Sequence, residues 1–368
     1  MDRGSINTRI IKRSILKHIA RTEPVGTTVG TDYSIVDRGT SPFAIITAQG
    51  FSEFSGELAY IRALNNLAAG GAKADSVMID ILVGSSCSED RLRKEMNQLS
   101  KLASRDNIRI IGGNSFVSKD GGAEGSFTIT AFGKVEDSVT AQLTEKLSVG
   151  DKIVILGEAG RFGASFILER SRRLADRKAN EEAKEEIEEE TEEEPKEEAD
   201  TETEAFCLKS NKNMSILDRF AKSYLDAAVM NKDECYIQDV AEVLVQGGAS
   251  FIHDVSFGGI YRTLIEIAEY SNHGIDIIHE RVPIRQDTIE ISEFLGINPY
   301  ELLGTGGVVA VVKPDRLERL ENRLREAGIQ YSIAGELTES GERVVHSENF
   351  HMKRSLTYYE GDDIYKVV

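Results

Sequence analysis

Apolar residues recur along this chain with two periods, and the switches between them predict its elements. Ile6, Ile10, Ile11 and Ile15 fall at helical spacing, and the run from Phe43 to Thr47 predicts a short strand. Leu58, Ile61, Leu64, Leu67 and Ala68 mark a helix that runs into Gly70-Gly71, where glycine tolerates the backbone of a C-terminal stop. A strand is expected from Ser76 to Val83. Ser88 is placed to cap the next helix, with Glu89 and Asp90 in its first turn and Leu92, Met96, Leu99 and Leu102 on its apolar face. Ile108 to Ile111 and Ser126 to Val135 read as strands, the second alternating Phe127, Ile129 and Ala131. Strand, helix, strand, helix, strand and strand make up a first domain over residues 1–149.

A second cycle follows Gly150. Lys152 to Leu156, Ile275 to His279 and Tyr331 to Glu336 read as strands. Phe162 to Arg173, Ile216 to Met230, Ile237 to Val245, Ile260 to Tyr270 and Arg316 to Ala327 read as helices. This gives a second mixed domain over 150–345 and a tail over 346–368. A length of 368 residues already favours two domains, because single cores stop growing before that size.

The formal charge of -18 changes the picture only locally. Residues 181–204 hold 15 acids and two lysines, so they carry -13 and leave -5 for the rest. With one isoleucine and no apolar face, this stretch cannot recover its ordering entropy by burial, and an insertion at about 179–206 is expected to be disordered. It reads as a solubilising loop, or as a docking arm for a basic protein partner. No basic stripe points to nucleic acid. The longest apolar runs fall short of a membrane helix, and the first residues show no signal-peptide core, so a cytoplasmic location is expected. Cys87, Cys207 and Cys235 lack the pairing or spacing of disulfides or a zinc site and read as reduced thiols.

Candidate chemistry begins at His253-Asp254-Val255-Ser256-Phe257-Gly258-Gly259-Ile260. A Gly-Gly turn just before a helix lets backbone approach a ligand and aims N–H groups at a phosphate. Gly157, Gly160 and Gly163 form GxxGxxG after a strand, which reads equally as a structural turn or a phosphate turn. His273, His279, His346 and His351 lack ligand spacing.

The continuation GGIYRTLIEIAEYSNHGIDIIHERVPIRQDTIEISEFLGINPYELLGTGGVVAVV gives these residues a context. With Asn65-Asn66-Leu67-Ala68-Ala69-Gly70-Gly71-Ala72 and Ile111-Gly112-Gly113-Asn114-Ser115, it resembles the superfamily of aminoimidazole ribonucleotide synthetase and hydrogenase maturation factors, which also includes selenophosphate synthetase and thiamine monophosphate kinase. The resemblance spans nearly the whole chain outside the acidic insertion. It implies an α/β (α+β) PurM-like two-domain fold: a ferredoxin-like N-terminal domain that forms a dimeric β-barrel, and a C-terminal α/β domain. It further implies a homodimer with ATP and Mg2+ between the domains. The nucleotide-binding positions carried over are Asp32, Asn66, Gly112, Gly113, Asn114, Asp254, Ser256, Gly258 and Gly259, with Asp32 as the metal ligand.

The chain departs from that pattern at the acids. Gln49, Asn66 and Asn114 stand where the family has metal-binding carboxylates, and only Asp32 of Val29-Gly30-Thr31-Asp32 keeps an acid in the first loop. An amide offers an oxygen but no negative charge, so a degraded magnesium site is expected. The terminal cysteine that carries a carbamoyl group in the maturation factors is absent from the ending Tyr365-Lys366-Val367-Val368. Two functions follow. One is ATP-dependent phosphorylation of an amide or carboxamide oxygen. The other is a non-catalytic paralogue that senses a nucleotide or metabolite or partners a true maturation enzyme.

Overall fold

The structure is a computed structural model that describes residues 30–37, 42–119, 125–189, 215–357 and 361–367, with Lys12 and Ser14. Apart from those last two residues, the helix expected around Ile6 to Ile15 lies outside the described residues, as do the acidic stretch beyond Glu189 and Cys207.

The first sheet has five strands: β1 (Tyr33–Asp37), β2 (Phe43–Ser52), β3 (Lys73–Gly84), β4 (Arg109–Ser118) and β5 (Ser126–Glu136), in the order β1-β2-β5-β3-β4. All neighbours are antiparallel except β3 and β4. Helices α1 (Gly56–Ala69) and α2 (Glu89–Arg105) contribute to its core. Ala44, Ile46 and Ala48 alternate inward on β2 and meet Tyr60 and Leu67 of α1, as the period of two requires. Ser88 caps α2 as expected, accepting from the Arg91 amide at 3.3 Å, and Ser55 does the same for α1. The outer side of this sheet is apolar but uncovered. Phe43, Ile45 and Phe51 of β2 are exposed there, as is Phe116 of the edge strand β4, paired with exposed Leu82; Val117 of β4, paired with buried Val83, is exposed on the opposite face.

Gly113 shows why β4 needs glycine. Its φ of 146° is unfavourable to side chains, and a Cβ there would collide with the Ile79 backbone on β3. Gly113→Ala is therefore expected to destabilise the protein by at least about 2 kcal/mol, combining backbone strain with a steric clash. Chemical denaturation of the variant checks this.

The second sheet runs through β6 (Lys152–Leu156), β7 (Phe251–Asp254), β8 (Gly274–Ile278), β9 (Val308–Val312), β10 (Tyr331–Thr338), β11 (Arg343–His346) and β12 (Lys353–Ser355), ordered β12-β11-β8-β10-β6-β9-β7. Every residue of β9 is buried, which explains its unbroken apolar run. After α3 (Asp137–Leu143), helix α4 (Arg161–Glu189) runs into the start of the acidic stretch. The single helix expected from Ile216 to Met230 is instead two, α5 (Ile216–Arg219) and α6 (Lys222–Ala228). Phe220 breaks them with extended backbone while its ring stacks on Tyr224 and meets Phe294 edge-on. Helices α7 (Gln238–Gly247) and α8 (Gly259–Ser271) flank β7 in the chain, and α8 begins directly at the Gly258-Gly259 turn.

The GxxGxxG residues serve close packing. Cβ atoms at Gly157, Gly160 and Gly163 would press on Gly307, Pro299 and Leu302. Cys87 and Cys235 are free thiols, and no helix among the described residues is long and apolar enough to cross a membrane.

Candidate functional site

The two sheets meet where α1 packs against β7. Asn65 fastens that junction: its amide donates to the Cys235 carbonyl at 2.8 Å and its oxygen accepts from the Ile237 amide at 3.1 Å. One turn earlier on α1, Arg62 crosses to the turn after β7 and donates from Nε to Ser256 Oγ at 2.8 Å. Its Nη1 bonds the Phe51 carbonyl, and its guanidinium lies 4.6 Å from the centre of the Phe257 ring.

Behind Arg62 is a buried ionic cluster. His253 Nδ1 lies 2.7 Å from the Asp254 carbonyl oxygen and 3.0 Å from Asp32 Oδ2, and Nε2 lies 3.3 Å from Glu266 Oε2. Glu266 sits on α8, two turns beyond the glycine turn, and accepts from Arg262 Nε at 2.9 Å.

Burial disfavours charge on His253, but Asp32, Glu266 and Asp254 outweigh it and push its pKa up to about 10. Burial also raises Asp32 and Asp254 against the pull of His253, while the bonds from His253 and Arg262 hold Glu266 below its ordinary value despite burial. Asp254 and His253 are 2% and 4% exposed, so this chemistry is shielded from water.

The glycine turn is closed by the last residues of the chain. Asp362 accepts from the amides of Gly258 at 2.6 Å, Leu303 at 3.2 Å and Ile364 at 2.7 Å. Burial, opposed by these hydrogen bonds, raises its pKa to about 7. Tyr365 stacks on Phe257 at 6.0 Å and Ile364 is buried beside Leu302 and Leu303. The Gly259 amide donates within the turn to the Ser256 carbonyl. The two amides expected to face a phosphate thus both have protein partners in this conformation.

The structure brings Asp32, Asp254, Ser256, Gly258 and Gly259 together. The other sequence-derived positions belong to the first sheet and the helix on it. Asn66 donates from its amide to the Gln49 carbonyl at 2.6 Å, and Gln49 reaches Thr130 Oγ1 at 3.2 Å. Gly112, Gly113 and Asn114 pair with Met78, Ile79 and Asp80 on β3, where the Asn114 amide donates to Asp80 Oδ1 at 2.9 Å. Arg62, Glu266 and Asp362 escaped the sequence reading. Arg62 was recoverable, since it lies four positions before Asn66 and hence on the same helix face. Asp362 left no signal, being a hundred residues from the turn it closes.

Asp32, His253 and Asp254 place ligand-type atoms within 4.8 Å of one another. They do not fit magnesium, which takes roughly six oxygens in an octahedron. An imidazole offers nitrogen rather than oxygen, and His253 Nδ1 already stands 3.0 Å from Asp32 Oδ2 and 3.9 Å from Asp254 Oδ1. Asp32 therefore faces the His253 imidazole where the resemblance implies a metal. A separate cleft of about 700 Å³, lined by Phe54, Glu57, Arg91, Phe166 and Lys232, contains none of these residues.

The two-sheet α/β fold is that of the PurM-like two-domain proteins. Residues 148–347, just over half of the chain, match the family described as AIR synthase related protein, C-terminal domain, and the chain belongs to that family. It is similar to a putative hydrogenase expression/formation protein of Methanocaldococcus jannaschii, with 26% identity over 99% of this chain and 97% of that one. The carbamoyl dehydratase HypE of Bradyrhizobium diazoefficiens is 24% identical over 84% of this chain and 74% of its own. Among solved structures, the hydrogenase maturation protein HypE in complex with ATP superimposes with a TM-score of 0.60 at 18% identity, covering 98% of this chain and 96% of that one.

Proposed function

We propose that this chain is a homodimeric, cytoplasmic nucleotide-binding protein that takes ATP at the junction of its two sheets, with phosphorylation of an amide or carboxamide oxygen as its reaction class. The observation that carries the reading is the convergence of Asp32, Asp254, Ser256 and Arg62 on the turn between β7 and α8. The ATP complex of the similarly folded HypE supports the choice of nucleotide. The uncovered apolar side of the first sheet supports a second copy as its cover.

A second reading, a non-catalytic nucleotide or metabolite sensor, is favoured by one observation: Gln49 and Asn66 tie strand to helix rather than presenting carboxylates to a metal. Turnover separates the two. Under the enzyme reading, ATP hydrolysis rises when carboxamides are supplied and Asp32→Ala reduces it by about 10²-fold or more, the scale of losing electrostatic support in an active site. Binding of ATP with no hydrolysis across the panel establishes the sensor instead.

A further inference from the structure

We propose that Arg62 takes the place of a divalent metal at this site, so that its guanidinium holds the phosphates of the nucleotide and binding needs no magnesium. The inference rests on the nucleotide reading above and concerns how that ligand is held.

Three observations converge on Arg62. The first is the donor set: the cluster behind the turn does not fit magnesium, because His253 already stands between Asp32 and Asp254. The second is the state of the glycine turn. Gly258 gives its amide to Asp362 and Gly259 gives its own to Ser256, so the backbone donors that would otherwise receive a phosphate are engaged. The third is the position of Arg62 itself. It is half-buried, and Asp254, Asp32 and Asp362 all act on its charge. Phe257 supports one face of its plane, and Ser256 and the Phe51 carbonyl fix its Nε and Nη1 edges.

That arrangement has the features of a built anion seat. A guanidinium is planar, permanently charged and carries five N–H donors in a fork that matches phosphate geometry. Two of its nitrogens are anchored, leaving Nη2 without a hydrogen-bond partner among the described residues. Asp254, whose Oδ2 is buried and likewise lacks a hydrogen-bond partner, acts on the same arginine through its charge. The guanidinium can therefore set positive charge between these acids and an incoming phosphate, the electrostatic task a metal performs in a site richer in acids. Lysine could supply the charge but not the fork.

The test is calorimetric titration of the full-length protein with ATP and, separately, with tripolyphosphate, each in excess magnesium and in EDTA. Wild type, Arg62→Gln and Arg62→Lys are compared, with thermal melting to verify that each variant is folded. The expected result is wild-type affinity for ATP that differs by less than about threefold between magnesium and EDTA, with tripolyphosphate also bound. Arg62→Gln should lose at least about 100-fold in both conditions while melting with a single transition, and Arg62→Lys should fall between them. A folded Arg62→Gln that binds ATP as well as wild type overturns the proposal, as does wild-type binding that disappears in EDTA. Either of those results leaves the nucleotide reading standing. Absence of ATP binding in both conditions overturns both.

Discussion

Replacing His253 with alanine is expected to destabilise the protein by roughly 3–5 kcal/mol, the range found when one member of a buried ion pair is removed. Asp32, Asp254 and Glu266 converge on His253, which with Asp254 is buried while Asp32 and Glu266 are half-buried. Without it Glu266 keeps Arg262, but Asp32 loses its nearest positive group. Urea denaturation at neutral pH measures the effect, and an unchanged midpoint would show that the imidazole is neutral and serves only packing. The pH dependence has a definite sign. Because folding raises the His253 pKa from 6.5 to about 10, its stabilisation is complete below about pH 6.5 and is lost as pH rises through about 10. Wild type should weaken progressively across that window, and the variant should show a correspondingly shallower decline.

Phe116→Asp is expected to convert the proposed dimer to monomers. Phe116 is 64% exposed on edge strand β4, next to the equally exposed Val117, and a long apolar edge is a template for pairing with another chain. Covering a phenylalanine is worth about 1.5–3 kcal/mol. A twofold interface counts the residue twice, so the substitution should raise the dissociation constant by roughly two to four orders of magnitude, at about 1.4 kcal/mol per tenfold. Sedimentation velocity at micromolar concentration reads the outcome, with circular dichroism confirming the fold. A monomeric wild type would remove the dimer from the proposed function and leave the exposed face to another partner.

Much of the scaffold was legible because local chemistry and periodicity agree. The alternation of Phe127, Ile129 and Ala131 matches their burial on β5, the cap at Ser88 forms as its position demands, and the family match confirms the resemblance carried by the stretch that continues from Gly258-Gly259. Legibility failed where a side chain or segment answers to a distant part of the chain. Phe220 interrupts the helix expected through it because its ring packs against Phe294, and that contact outweighs local helical preference.

The site divides in the same way. Sequence alone determined which residue types make up the turn after β7 and, through the resemblance, that acids were missing at Gln49, Asn66 and Asn114, because identity and spacing within a motif are local facts. Only the tertiary structure decided where charge resides. It brought Arg62 to Ser256 across 194 positions and Asp362 to Gly258 across 104, and it set His253 between Asp32 and Glu266. Electrostatic energy depends on distance and on the exclusion of water, and both are properties of packed elements that no stretch of sequence carries by itself.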